Sequence, residues 1–296
     1  MAAFRVTQQS MVDRSLSSLQ LGLGRLSDLQ EQLSSGRRLN RPSDSPTDTA
    51  TAMRLRSSLS SAEQYGRNAQ DGLGRLGLVD QTLFGVTDLV TRARSIAVQG
   101  ANSGAMSPAS REALATEIDQ VRSALIDDAN ATYLARPVFG GITAGDTAFD
   151  DAGVFVGVQG EITRRVSDNA RVRVDVDGTA VFGDGATSVF ARLDYLAAAM
   201  RTGDDAGVQA SLVKLSARLE SVSTVHADVG AAYKRIEEAQ SALEDKVLDL
   251  TTALTDVENI DLPRTMIDIN LQEVAYQTAL ASAARVLQPS LIEFLR

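Results

Sequence analysis

Near the N-terminus, Val12, Leu16, Leu19, Leu23, Leu26, Gln30 and Leu33 recur with alternating gaps of four and three. That spacing places all of them on one narrow helical face, as in the seam of a coiled coil. The stretch Ser34–Pro46, S-S-G-R-R-L-N-R-P-S-D-S-P, then breaks the pattern. Gly36 stands where a helix end needs a residue able to take positive φ. Pro42 removes a backbone donor and pushes Arg41 toward extended geometry. Ser45, Pro46 and Asp48 read as an N-cap, a first helical position and an acid on the positive helix end. The expectation is a hinge built from Gly36, Arg37, Arg38, Arg41, Pro42, Asp44 and Pro46 between two helices.

Helical spacing resumes with Ala69, Leu73, Leu76, Val79, Leu83, Val86 and Val90, predicting a helix from about Pro46 to about Gly100. Ser107-Pro108 opens a third helix, with Leu114, Ile118, Val121 and Leu125 on one face. From Arg136-Pro137 the chain turns rich in Gly, Val and Asp, and alternation replaces helical spacing. Val154, Val156 and Val158 form one run, and Val172, Val174 and Val176 another; Asp177-Gly178 between Val176 and Val181 reads as a hairpin turn. Phe190, Leu193, Ala197 and Met200 restore a helix that Gly203 ends. A long pattern from Val222 to Val257 follows, with one extra residue near Leu243. Asp261-Leu262-Pro263 interrupts it as Arg41-Pro42 interrupts the first, and Ile267, Leu271, Val274, Thr278 and Ala281 continue on one face. Leu287, Leu291 and Phe294 end the chain.

The order is helix, hinge, long helix, β insert, long helix, hinge, helix. The expected fold is mainly α: a long antiparallel helical bundle or coiled coil with paired N- and C-terminal helices and a small inserted antiparallel β domain. The divisions read as residues 1–42 for the N-terminal coiled-coil helix, pairing with 262–296, and 43–136 and 188–261 for the two halves of a helical rod. Residues 137–187 are then the insert, expected on the outer surface with few partners among the helices.

Composition narrows the function classes. Aromatics are 4% of 296 residues and tryptophan is absent, which favours long, thin helical packing. Without cysteine there is no disulfide framework and no thiolate metal site. Net charge is −9, and residues 1–100 hold 12 basic and 9 acidic side chains against 17 and 29 in the remainder. No basic stripe interleaved with aromatics points to nucleic acid. No apolar run reaches the ~20 residues needed to cross a bilayer, so membrane insertion is not expected. The first ten residues lack the apolar core of a secretory signal.

Candidate chemistry is sparse. Gly72-Leu-Gly74-Arg-Leu-Gly77 spells G-x-G-x-x-G, yet it falls inside a helical pattern, where a dinucleotide loop needs a strand before it. Close helix packing is the better reading. Asn130-Ala-Thr132 is a sequon of the kind common by chance, and His226 has no candidate nucleophile beside it. Asp127-Asp128 and Asp204-Asp205 lack calcium-loop spacing. Arg37, Arg38 and Arg41 read either as a solvated turn or as a cluster that ion-pairs with an acidic neighbour in an assembly. No acid, base, nucleophile or metal set converges, so neither enzyme activity nor a cofactor is expected. What remains is the apolar seam itself: Val12, Leu16, Leu19, Leu23, Leu26 and Leu33 with Ile267, Leu271, Val274, Leu287, Leu291 and Phe294. A pair of thin helices cannot cover both its own faces, and Gly22 and Gly24 each cost the first about 1 kcal/mol relative to alanine. The expected chemistry is association.

Several stretches carry a resemblance. L-Q-E-Q-L-S-S-G-R-R-L-N-R-P-S-D-S-P, I-D-D-A-N-A-T-Y-L-A-R-P-V-F-G-G and R-V-L-Q-P-S-L-I-E-F-L-R resemble the flagellin superfamily. R-P-S-D-x-P and the insert's F-V-G-V-Q-G-E-I-T-R-R-V-S-D-N-A are more similar to its hook–filament junction branch than to flagellins. Pro263 departs from the family pattern, which more often has an ordinary helix former there. The resemblance implies a structural adaptor whose partners are further copies of itself in a ring, hook-associated protein 1, flagellin and a flagellar export chaperone. It also implies export through the flagellar type III apparatus to the cell exterior without a cleaved signal. A short flagellin and, from another class, a cytoplasmic coiled-coil scaffold are the alternatives.

Overall fold

The computed structural model describes residues 2–101 and 106–294, with side chains described from residue 10 to 284 apart from Met11. The helices are α1 (Ala2–Ser35), α2 (Pro46–Ala101), α3 (Pro108–Ala129), α4 (Gly178–Phe182), α5 (Val189–Thr202), α6 (Asp205–Glu258) and α7 (Leu262–Phe294). The strands are short: β1 (Thr132–Tyr133) pairs antiparallel with β2 (Arg136–Pro137), and β3 (Thr163–Arg165) with β4 (Arg171–Arg173). The fold is mainly α with a small antiparallel β portion. It divides into two compact units, residues 1–60 with 247–296 and residues 61–246.

Helix boundaries follow local chemistry. Ser107 caps α3 by accepting the Ser110 amide at 3.2 Å, and Pro108 fills the first position. Ser188 caps α5 in the same way through the Ala191 amide. Gly203 ends that helix at φ +75°, a left-handed conformation that glycine adopts without a Cβ penalty.

In the larger unit the periodic residues are the core. Leu76, Val79, Leu83, Val86 and Val90 of α2, Leu114, Ile118, Val121 and Leu125 of α3, and Phe190, Leu193, Ala197 and Met200 of α5 are all buried. From α6, Val222, Val229 and Ile236 join them.

The segment 137–187 corrects an expectation, for it is not a surface appendage. Phe139, Phe149, Val174 and Phe182 are buried in the same cluster as the helices. The Phe182 ring lies 5.2 Å from Phe139, 5.3 Å from Phe149 and 5.6 Å from Phe190 of α5. In a chain with few aromatics, these rings supply the bulk that the Ala- and Val-rich helices lack. Two strand readings also change. Val154, Val156 and Val158 are exposed and belong to no strand; isolated bridges such as Gly141↔Val158 and side-chain bonds such as the Val154 amide on Asp150 hold the run. Asp177-Gly178 is no hairpin turn: the Asp177 carboxylate caps α4 by accepting the Thr179 amide at 2.9 Å. The local signal was a cap, which an Asp-Gly pair serves as readily as a turn.

Two of the three glycines of the motif on α2 pack closely, whereas Gly77 has nothing within 4 Å of an added Cβ. A Cβ on Gly72 would meet Ile236 Cδ1 at 3.0 Å and Val174 Cγ1 at 3.2 Å, and one on Gly74 would lie 2.6 Å from the Tyr133 hydroxyl. The Asn130 side chain staples the end of α3 to the following segment, where its Oδ1 accepts the amides of Ala148 and Phe149 and its Nδ2 donates to the Phe149 carbonyl. His226 is part-buried, with Nε2 2.6 Å from Asp80 Oδ1 and its ring edge-on to Phe84.

Candidate assembly surface

In the smaller unit, α1 and α7 run antiparallel. Gly36 meets Ile260 at one end, and Gly22 meets Gln272 and Tyr276 further along. On α1 the half-buried positions among the described side chains are Ser10, Val12, Ser15, Leu19, Gly22, Leu26, Leu29, Gln32 and Leu33. On α7 they are Ile269, Gln272, Glu273, Tyr276, Ala279 and Ala283, continuing from buried Thr265. Gly22 sits at this contact: a Cβ there would meet Tyr276 at 3.4 Å, an ordinary van der Waals distance, and Gln272 Nε2 donates to the Gly22 carbonyl at 3.1 Å.

This contact face only partly coincides with the apolar pattern. Val12, Leu19, Leu26 and Leu33 lie on it, whereas Leu16 and Leu23 are exposed, the latter by 52%. Ser15, Gly22 and Leu29 take the intervening positions. On α7 the divergence is complete. Ile267, Leu271 and Val274 are 65%, 69% and 64% exposed, and Thr278 and Ala281 with them. At 100° per residue they fall on roughly the opposite side of the helix from Ile269, Gln272 and Tyr276. So α7 turns a mixed face of small and polar side chains to α1 and leaves its most apolar stripe uncovered within the subunit. Leu287, Leu291 and Phe294 lie outside the side chains described.

The two chain breaks are tied together. Gly36, at φ +71°, closes α1 by donating to the Gln32 carbonyl at 2.8 Å. Arg37 and Asn259 then form an antiparallel bridge: the Arg38 amide donates to the Glu258 carbonyl at 2.7 Å, and the Ile260 amide to the Gly36 carbonyl at 3.2 Å. Pro42 sits inside a turn closed by the Asp44 amide on the Arg41 carbonyl at 3.0 Å. The Asp44 carboxylate reaches back to the amides of Asn40 (3.0 Å) and Arg41 (2.7 Å), groups that no helix satisfies there. Pro46 opens α2, with Ser45 Oγ accepting the Asp48 amide at 3.4 Å. At the second break Asp261 Oδ1 accepts the Arg264 amide at 3.2 Å, so Pro263 lies in a capped first turn, where its missing N–H costs nothing.

Two of the three hinge arginines pair within the chain, not with another subunit. Arg38 reaches Asp48 at 3.0 Å and the Val257 carbonyl at 3.0 Å, and Arg41 reaches Glu31 at 2.9 Å. A third pair was not visible in the sequence: Arg56 on α2 lies 2.7 Å from Glu258, whose side chain is buried. Arg56 is one of several arginines on an exposed helix, and only the fold brings Glu258 to it. Among the described residues, no group of three or more metal-ligating side chains comes together, and no helix is long and apolar enough to cross a membrane.

The profile of the bacterial flagellin N-terminal helical region matches residues 6–135, and that of the C-terminal helical region matches residues 212–295. Flagellar hook-associated protein 3 of Escherichia coli K12 is 27% identical over 274 residues, covering 84% of this chain and 86% of that protein. Its namesake in Salmonella typhimurium LT2 is 24% identical over 300 residues, covering 93% and 94%. Among solved structures, a flagellar hook-associated protein-3 from Legionella pneumophila superposes with a TM-score of 0.62 at 15% identity, over 69% of this chain and 98% of that one. With the two helical regions matched over most of its length and flanking the insert, the chain belongs to the flagellin superfamily of structural flagellar proteins.

Proposed function

We propose that the protein is the adaptor between the flagellar hook and the flagellin filament, acting by self-association of its terminal helices in a tubular lattice. The observation that carries association is the uncovered stripe Ile267-Leu271-Val274 on the side of α7 away from α1. Fully burying an aliphatic side chain of this size is worth roughly 1.5–3 kcal/mol. Several such residues per subunit, repeated around a ring, supply a large driving force. Leu16 and Leu23 on α1 extend the apolar area available to neighbours.

The junction role, in place of a filament role, is supported by the hook-associated relatives and by the insert. Side contacts in a long filament must repeat indefinitely, whereas an adaptor has to match two lattices only. On this reading the protein bridges hook-associated protein 1 and the first flagellin subunits, and a dedicated chaperone shields its terminal helices before export by the flagellar type III apparatus. Cells lacking the protein should build hooks but shed flagellin into the medium, because the first filament ring has no template. Normal filaments on such cells would reject the adaptor reading, and long tubes grown from the pure protein would favour a filament subunit.

A further inference from the structure

In the larger unit, α5, the turn before it and α6 frame a concavity of about 190 Å³. The charged residues lining it are all basic: Arg192, Lys214 and Arg218. Among the described residues none of the three sits in an ion pair, although Arg122, Arg164, Arg173 and Arg201 of the same unit all have carboxylate partners. No carboxylate among the described residues lines the concavity, so its three positive charges meet no opposite charge on its walls.

Arg218 is held in place by neutral groups. Its Nη2 donates to the Thr187 carbonyl at 3.1 Å, and Nη1 lies 3.4 Å from the carbonyls of Ala180 and Val181. Gly183, at φ +81°, lets the preceding loop close over the guanidinium, since a Cβ there would lie 2.6 Å from Nη2. Burial, and after it the neighbouring charge of Arg192, lowers the pKa of Arg218. Two guanidinium groups thus repel each other across a half-buried space, a cost that a bound anion would remove.

We propose that this concavity is an oxyanion site, taking a tetrahedral anion of the phosphate or sulfate class. The planar forks of Arg192 and Arg218 suit bidentate contact with such oxygens, and Lys214 adds a mobile point charge. Carbonyl bonds occupy only part of the Arg218 donor set, so N–H groups remain for a ligand.

The test uses the full-length monomer titrated with inorganic phosphate by calorimetry and by thermal melting, against chloride at matched ionic strength. Lys214→Gln and Arg192→Gln are the variants, because neither side chain has an intrachain bond to lose. The expected result is saturable one-to-one stabilisation by phosphate, weakened about tenfold or more in each variant, with unliganded melting temperatures at or above that of the parent. Sulfate should compete. A response to phosphate no greater than to chloride, or wild-type affinity in both variants, would overturn the proposal. So would variants that melt normally and ignore phosphate as the parent does but fail to assemble, which would instead assign the pocket to a carboxylate of a second copy.

Discussion

The Ile260 amide donates to the Gly36 carbonyl at 3.2 Å, so the residue that ends the first helix is bonded to the residue just before the last one begins. Gly36 has φ +71°, and a Cβ added to it would meet nothing within 4 Å. Gly36→Ala should therefore cost only its conformational penalty, roughly 1–2 kcal/mol. Chemical denaturation should show that loss in the smaller unit, with the larger unit unaffected. A neutral substitution would mean that the break tolerates another backbone path.

Leu134 and Ala135 link β1 to β2 at φ +49° and +60°. Two consecutive non-glycine residues in the left-handed region store strain, and the turn is a two-residue hairpin of the type that prefers glycine. Ala135→Gly should stabilise the larger unit by about 1 kcal/mol, read as a rise in melting temperature. A fall would indicate that the methyl makes contacts worth more than the strain.

Phe149 is 1% exposed and touches three other rings. Phe149→Ala should cost ~3–5 kcal/mol. Deleting residues 140–184 should collapse the helical core of the larger unit, seen as lost helicity by circular dichroism. A deletion variant with native helicity would return the segment to the surface role that its composition suggested.

The Asp128 carboxyl is held above its ordinary range, first by burial and then by Asp127. The folded chain keeps this proton to a higher pH than the unfolded chain, so this group's contribution to stability falls as pH rises through the window between the two values. Asp128→Asn should therefore stabilise the protein at pH 7, with the advantage fading in acid below about pH 4. Melting curves across that range check the sign; equal stability of both proteins at every pH would contradict it.

Helix existence, order and burial were legible for α2, α3 and α5, because Leu76–Val90, Leu114–Leu125 and Phe190–Met200 face a core wide enough to reward strict apolar spacing, whereas the start of the short α4 reads as a hairpin turn. The breaks were legible for a different reason: Gly36, Pro42, Ser45 and Pro46 restrict the backbone locally, whatever packs around them. The pairing face of α1 was not. Val12, Leu19, Leu26 and Leu33 serve two heptad readings equally, and the fold chose the one through Ser15, Gly22 and Leu29, with Gly22 against Gln272 and Tyr276. On α7 the apolar period marked the outward side. A pattern records which face becomes buried somewhere, not which neighbour buries it. The insert's place in the core was hidden because its phenylalanines, Phe139, Phe149 and Phe182, follow no period. The Arg56–Glu258 pair was hidden because a single charge on an exposed helix carries no positional signal.

A thin pair with few fully buried side chains should open more readily than the cluster around Leu83 and Phe182. Amide exchange on dilute monomer should show weaker protection at residues 13–35 and 265–284 than at 76–97 and 215–243. Assembly should then slow exchange in the terminal segments. Equal protection in the monomer would mean that α1 and α7 need no neighbours to be stable.

The central claim is that the outward stripe of α7 serves assembly and not folding, and a double substitution tests it most directly. Ile267→Gln with Leu271→Gln removes apolar surface that is already exposed in the subunit. Monomer melting temperature and helicity should stay unchanged, while filaments on cells carrying the variant should be lost and flagellin should accumulate in the medium. Normal filaments, or a monomer that melts several degrees lower, would contradict the assignment of this face to neighbouring subunits.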